Sequence, residues 1–224
     1  MNKTRQIHHI YDTLYKNYGP QGWWPVTEKE SRKPIYKKRG KLSANQRFEI
    51  IIGTILTQNT AWKNVEKALI ELNKRKLLDK NKLKSLPAKK LGKIIKSSGY
   101  FNQKAKKIKA MLEFLESGKE INRENLLGIW GVGPETADSI LLYAYSKPFF
   151  VIDAYTKRIF TRLGLAESKA TYQELQETFH KNLPKDQGLF NEYHALLVKH
   201  AIKSCRTKPL CEECVLRRQC EYSR

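Results

Sequence analysis

Two groups of residues in this chain have the type and spacing to do chemistry. The apolar run Phe149-Phe150-Val151-Ile152 delivers one carboxylate, Asp153, to the start of a helix-like stretch. A carboxylate there can cap the helix. Aimed at a developing positive charge, it stabilises that charge and can also take a proton from an attacking water. Lys157 follows one helical turn later on the same face, where it can pair with Asp153, touch phosphate or act as an amine nucleophile. The second group is Cys205-x5-Cys211-x2-Cys214-x5-Cys220, which holds all four cysteines of the chain within its last twenty residues. That is no disulfide framework for a reducing compartment. Four thiolates can hold a tetrahedral zinc ion, although structural zinc more often uses two Cys-x-x-Cys pairs. At these spacings they can instead surround a [4Fe–4S] cube.

The stretch that must position such chemistry runs from Leu126 to Ala137 (LLGIWGVGPETA). An apolar helix-like segment enters Gly131-Val132-Gly133 and a second helix leaves it. The glycines permit a tight turn and close backbone approach, and Pro134 suits the first helical position. The exposed N–H groups and positive helix end of such a hairpin can hold a phosphate. Glu135 sits in the first turn, where an acid suits the dipole.

Elsewhere the pattern is helical. Ile7, Ile10, Leu14 and Tyr15 mark an opening amphipathic helix, closed by Gly19-Pro20-Gln21-Gly22. Trp23 and Trp24 follow, suited to the core or to lining a pocket for an extruded base. Residues 31–41 (SRKPIYKKRGK) read as a basic loop. Ser43 and Gln46 have capping-box spacing before a helix with Phe48, Ile51, Ile52, Ile55 and Leu56 on its core face. Thr57-Gln58-Asn59-Thr60 breaks it, and Trp62, Val65, Leu69 and Leu72 mark the next helix. A helix is expected over 83–96, ended by Gly99, and Asn102 is a plausible N-cap for the following one. Lys104, Lys107 and Lys109 on that helix are candidate phosphate contacts. A short helix is expected from Thr156 to Gly164, Thr171 and Glu174 form a second capping box, and a last helix spans 188–204. No strand-period segment of useful length occurs.

Composition points to a polyanionic partner. Lys and Arg number 43 against 22 Asp and Glu, a formal charge of +21, and nucleic acid is the commonest partner for such an excess. The start, Met1-Asn2-Lys3-Thr4-Arg5, leads into no apolar signal region, and no apolar run suffices to span a bilayer. A cytoplasmic, nucleoid-associated monomer is expected, or a nuclear one in a cell with a nucleus.

Hairpin, later Asp and cysteine set together resemble the endonuclease III-like DNA glycosylases of the helix–hairpin–helix (HhH-GPD) superfamily. The resemblance extends to Leu-Thr-Gln-Asn-Thr around Gln58, to Gly-Tyr-Phe-Asn-Gln-Lys-Ala from Gly99, and to the cysteines, whose first gap is one residue shorter than the family's. It implies an all-α, two-lobed fold. A six-helix lobe at 40–148 would carry the hairpin; residues 1–39 and 149–224 would form the second lobe, with a [4Fe–4S] loop at 205–220. It implies double-stranded DNA with a damaged or mismatched base as partner, running across a basic cleft. Gln58 would fill the gap left by the flipped base. Gly131, Val132 and Gly133, with Asn102 and Lys104, would grip the backbone. Asp153 would promote loss of the base, and the cluster would be structural. Bifunctional members carry a lysine where Glu135 stands, and a carboxylate forms no Schiff base. A monofunctional enzyme is therefore expected. The alternatives are a glycosylase/AP lyase or AP-site lyase using Lys157 or another lysine, and a non-catalytic binder of DNA structures.

Overall fold

The computed structural model describes residues 2–28, 31–37 and 40–223. Its helices are α1 (Lys3–Tyr18), α2 (Ala44–Leu56), α3 (Trp62–Lys74), α4 (Lys80–Ser85), α5 (Ala88–Ile94), α6 (Phe101–Glu116), α7 (Arg123–Leu127), α8 (Pro134–Ser139), α9 (Ala154–Arg162), α10 (Tyr172–Asn182) and α11 (Gln187–Lys203). The strands described are β1 (Val26–Thr27) and β2 (Pro34–Ile35), an antiparallel pair. β2 falls inside the stretch expected to be a basic loop, of which Lys38 and Arg39 lie outside the described residues. The all-helical expectation otherwise holds.

The chain forms two compact units, Trp24–Ser146 and Met1–Trp23 with Lys147–Arg224. Residues 24–39 were expected with the terminal lobe, but side-chain burial assigns their start to the other unit. Trp24 is buried edge-on against Trp62, at 5.3 Å between centroids, and beside Tyr143. Gly53 on α2 leaves room for that indole, whose Cζ2 would stand 3.0 Å from an added Cβ. Val26 is fully buried, and the Thr27 N–H and hydroxyl both donate to the buried Glu49 carboxylate on α2.

In the Trp24–Ser146 unit, α2 is apolar on nearly all sides, with Phe48 through Leu56 all buried, so it forms the central helix. Its capping box is present in full. The helix expected over 83–96 is instead α4 and α5, because Pro87 lacks an N–H and holds Leu86 in an extended conformation. Past α8 the chain continues as a π-helical turn, Ile140–Ala144, wholly buried. Arg123 on α7 clamps the fully buried Asp138 carboxylate on α8 (Nε–Oδ1 2.8 Å).

In the other unit, α1 buries Ile7, Ile10 and Leu14 and packs on α10 and α11. Phe150 stacks on Phe179 at 3.7 Å and meets Phe190 and Tyr193 edge-on. Each fully buried ring of this kind contributes roughly 1.5–3 kcal/mol. The same cluster fixes the backbone immediately ahead of Asp153.

Candidate active site and nucleic-acid interface

The hairpin is built as its sequence demands. Asn122 caps α7 through the Asn125 N–H (2.9 Å), and Leu126, Ile129 and Val132 are buried beneath the turn. Trp130 at the turn is 57% exposed. Gly131 has φ +82°, and an added Cβ would lie 2.6–2.8 Å from the stem of Lys107, so its glycine is dictated from within the protein. Gly133 differs. It is extended (φ −97°, ψ 178°), and an added Cβ would meet nothing within 4 Å. Pro134 occupies N1, and Glu135 lies exposed in the first turn of α8.

Gln58 is tied to this hairpin. Its Nε2 donates to the Gly131 carbonyl (3.1 Å) and to Thr136 Oγ1 (2.9 Å), while Oε1 accepts from Lys107 Nζ (2.6 Å). Asn59 beside it (φ 51°) and Tyr100 (φ 43°, 73% exposed) hold left-handed conformations and share a concavity with Gln58, Gln103 and Lys107.

In the free protein the three α6 lysines, expected on phosphates, hydrogen-bond to protein oxygens. Lys104 is 2% exposed, and its ammonium donates to the Leu56 (2.8 Å) and Ser98 (2.6 Å) carbonyls. Burial, with Lys107 nearby, lowers its pKa to about 8. Lys109 donates to the carbonyls of Leu83 and Lys84. Asn102 does not cap α6. Tyr100 is the N-cap residue, and Asn102 lies exposed within the first turn. Trp24, proposed for a base pocket, is a core residue, and Trp23 is half-buried.

In the other unit, Asp153 is the N-cap of α9. Oδ1 accepts from the Thr156 N–H (2.7 Å), and Oδ2 lies 3.7 Å from His194 Nε2 on α11. The carboxylate is 13% exposed and the His194 side chain 9%. Burial works to raise the pKa of Asp153, but His194 and the Thr156 N–H outweigh it, and the net direction is down. Lys157 does not reach Asp153; its Nζ donates to the Ala170 carbonyl (2.6 Å).

Cys205, Cys211, Cys214 and Cys220 line one enclosed space with Ile159, Leu163, His200 and Leu216. Burial raises the Cys214 thiol, and the other three cysteines push the same way. Arg158 fixes the Cys205 carbonyl, and Arg162 donates to Cys205 Sγ (3.3 Å) and to the carbonyls of Arg206 and Thr207. Four sulfurs around an apolar space, with a guanidinium beside one of them, suit an anionic sulfur-ligated group. Among the described residues, no three His, Cys, Asp or Glu side chains are grouped to hold a single metal ion.

Sequence reasoning missed His194, Thr136, Arg158 and Arg162. His194 carries no local signal, since a histidine in an apolar helix usually belongs to the core. The arginines differ, for both follow Asp153 on α9 at helical spacing and face the cysteine loop.

The family model for "HhH-GPD superfamily base excision DNA repair protein" matches residues 52–185, a span that contains Gln58, the hairpin and Asp153. A Methanocaldococcus jannaschii protein described as a "Putative DNA repair glycosylase" is 43% identical, over 98% of this chain and 97% of its own. Endonuclease III of Thermotoga maritima is 34% identical over 79% and 84%. Among solved structures, the protein of a non-covalent endonuclease III–DNA complex superposes with a TM-score of 0.80 at 22% identity, covering 100% of this chain and 97% of that one.

Proposed function

From the premise that the chain belongs to the HhH-GPD superfamily of base excision DNA repair proteins, we propose that it is a monofunctional glycosylase, which releases a damaged or mismatched base and leaves the strand intact. It is a DNA N-glycosylase of the endonuclease III type. The observation that carries base release is the Asp153 carboxylate, kept ionised against its own burial by His194 and the start of α9.

Breaking the N-glycosidic bond develops positive charge on the deoxyribose, an oxocarbenium-like problem that a carboxylate solves. With Oδ1 anchored to the Thr156 N–H, Asp153 offers Oδ2 to that charge or to the proton of the attacking water. Glu135 has no amine with which to attack the sugar, and the Lys157 amine is engaged by Ala170. These two facts support base release without strand cleavage. The open backbone at Gly133, before a helix start, suits a phosphate of the bound duplex. The target nucleotide must leave the stack, and lesions that weaken pairing lower that cost.

Cys205, Cys211, Cys214 and Cys220, which line one apolar space, would hold a [4Fe–4S] cluster. When bound there, such a cluster would cross-link the loop after α11 through the four thiolates. The chain's own part is to dock that loop through Arg158 and Arg162.

The test is base release from duplexes carrying alkylated purines, oxidised bases or deaminated mismatches, each run with and without borohydride. Free base, an intact strand and no trapped adduct are expected. D153N, which still caps α9, should bind the lesion duplex and release at least ~100-fold less base. A trapped adduct would make a lysine the nucleophile and overturn the monofunctional reading. Undiminished release by D153N would remove Asp153 from the chemistry.

A further inference from the structure

Gln58, Lys107, Gly131 and Thr136 form a closed circuit of unambiguous polarity. An ammonium only donates and a peptide carbonyl only accepts, so Lys107 must face Oε1 of Gln58 while Nε2 faces Gly131. Every polar atom of the Gln58 carboxamide is thereby engaged within the protein. Lys107 also meets the hairpin directly, since its stem covers the face of Gly131 that a side chain would otherwise fill. The circuit is half-buried, and it borders the concavity that also holds the left-handed residues Asn59 and Tyr100. Strained backbone around a preformed recess is a common mark of a working surface. Within a chain of formal charge +21, the anion best able to compete for this ammonium is a DNA phosphate.

We propose that Lys107 is a positioning residue that latches Gln58 to the hairpin in the free protein and exchanges it for a DNA phosphate on binding, so that the Gln58 carboxamide is presented to the duplex only when the duplex is there. The proposal rests on the base-excision reading. Freed from Lys107, Gln58 offers its Oε1 acceptor, and once Nε2 leaves Gly131 and Thr136 its two donors complete the complement of a base edge. The stem of Lys107 lifts from Gly131 in the same movement, which couples the grip of the hairpin to the release of Gln58.

The exchange has a signature that bracing alone lacks. Each neutralised phosphate adds about 0.9 to the slope of log K against log salt. The experiment measures that slope for a duplex with a tetrahydrofuran abasic analogue, using the full-length protein and its K107M, K107Q, K107R and Q58A variants. K107M keeps the stem over Gly131, K107Q serves if K107M does not fold, and urea unfolding checks both. The slope should fall by about 0.9 in K107M or K107Q and stay at the wild-type value in K107R and Q58A. A wild-type slope in the neutral variants overturns the latch, because Lys107 would then never reach a phosphate. Failure of the parent reading looks different: the wild-type protein itself would show no preference for the abasic duplex over an intact one.

Discussion

The two hairpin glycines look interchangeable in sequence, yet their alanine variants should fail in opposite ways. At Gly131, alanine must hold φ near +82° and place a Cβ 2.6–2.8 Å from three stem carbons of Lys107. The left-handed backbone costs about 1–2 kcal/mol. Displacing the stem also breaks the Lys107–Gln58 hydrogen bond, worth about 1.5–3 kcal/mol for a charged donor. Stiffening the unfolded chain returns about 0.4–1 kcal/mol. The net destabilisation is about 2–4 kcal/mol, which lowers the urea midpoint by about 1 M or more for a unit of this size. At Gly133 the backbone is extended and the space open, so G133A should alter stability by no more than about 0.5 kcal/mol. Its Cβ instead occupies the ground where a phosphate would approach, and affinity for a lesion duplex should fall at least ~10-fold. Urea unfolding and fluorescence-anisotropy binding, run on both variants, separate the two costs. If G133A bound DNA normally, or G131A unfolded at the wild-type midpoint, this account of the hairpin would be refuted.

Three further outcomes follow from buried charge. K104M takes a donor from the Leu56 carbonyl and should cost about 1–3 kcal/mol in urea unfolding at neutral pH. Because Lys104 titrates at about 8 when folded and near 10.5 when unfolded, the unfolded state binds more protons between those values. Wild-type stability should therefore gain a rising component from pH about 8 to 10.5 that K104M lacks. Asp153 has the opposite position on the pH scale: its folded pKa lies below 3.8, so its contribution is complete above that value and lost as pH falls beneath it. D153N should show a shallower acid limb in thermal unfolding. R123M removes the guanidinium clamping the fully buried Asp138 and should cost about 3–5 kcal/mol, read from the unfolding midpoint.

What could be read in the sequence was whatever depends on neighbours along the chain. Both capping boxes, at Ser43 and Thr171, form as their spacing predicts, and Asp153 caps α9 because an acid before a helical run finds the free N–H groups. The break at Pro87 was equally local, yet the lysine-rich periodicity around it masked the signal. What escaped depends on chain segments far apart in sequence. Lys104 lies among lysines of identical appearance, and only the carbonyls of Leu56 and Ser98 draw it inward. His194 acquires meaning from packing 41 positions beyond Asp153 (194 − 153). Tyr100 became the N-cap in place of Asn102 because it holds a left-handed conformation (φ 43°) that no preference of tyrosine announced.

The division of the chain carries a consequence for its birth on the ribosome. Trp24–Ser146 is one uninterrupted stretch and can fold as soon as it has emerged. The other unit is split around it. Its first helix presents Ile7, Ile10 and Leu14, whose partners on α10 and α11 are made last, as the bond from Tyr193 to the Ile7 carbonyl, 186 residues away, illustrates. Closing so long a loop adds little to the equilibrium cost, since each doubling of length costs only about 0.6 kcal/mol. The burden falls on time. Through most of translation the apolar face of α1 waits without the helices that cover it.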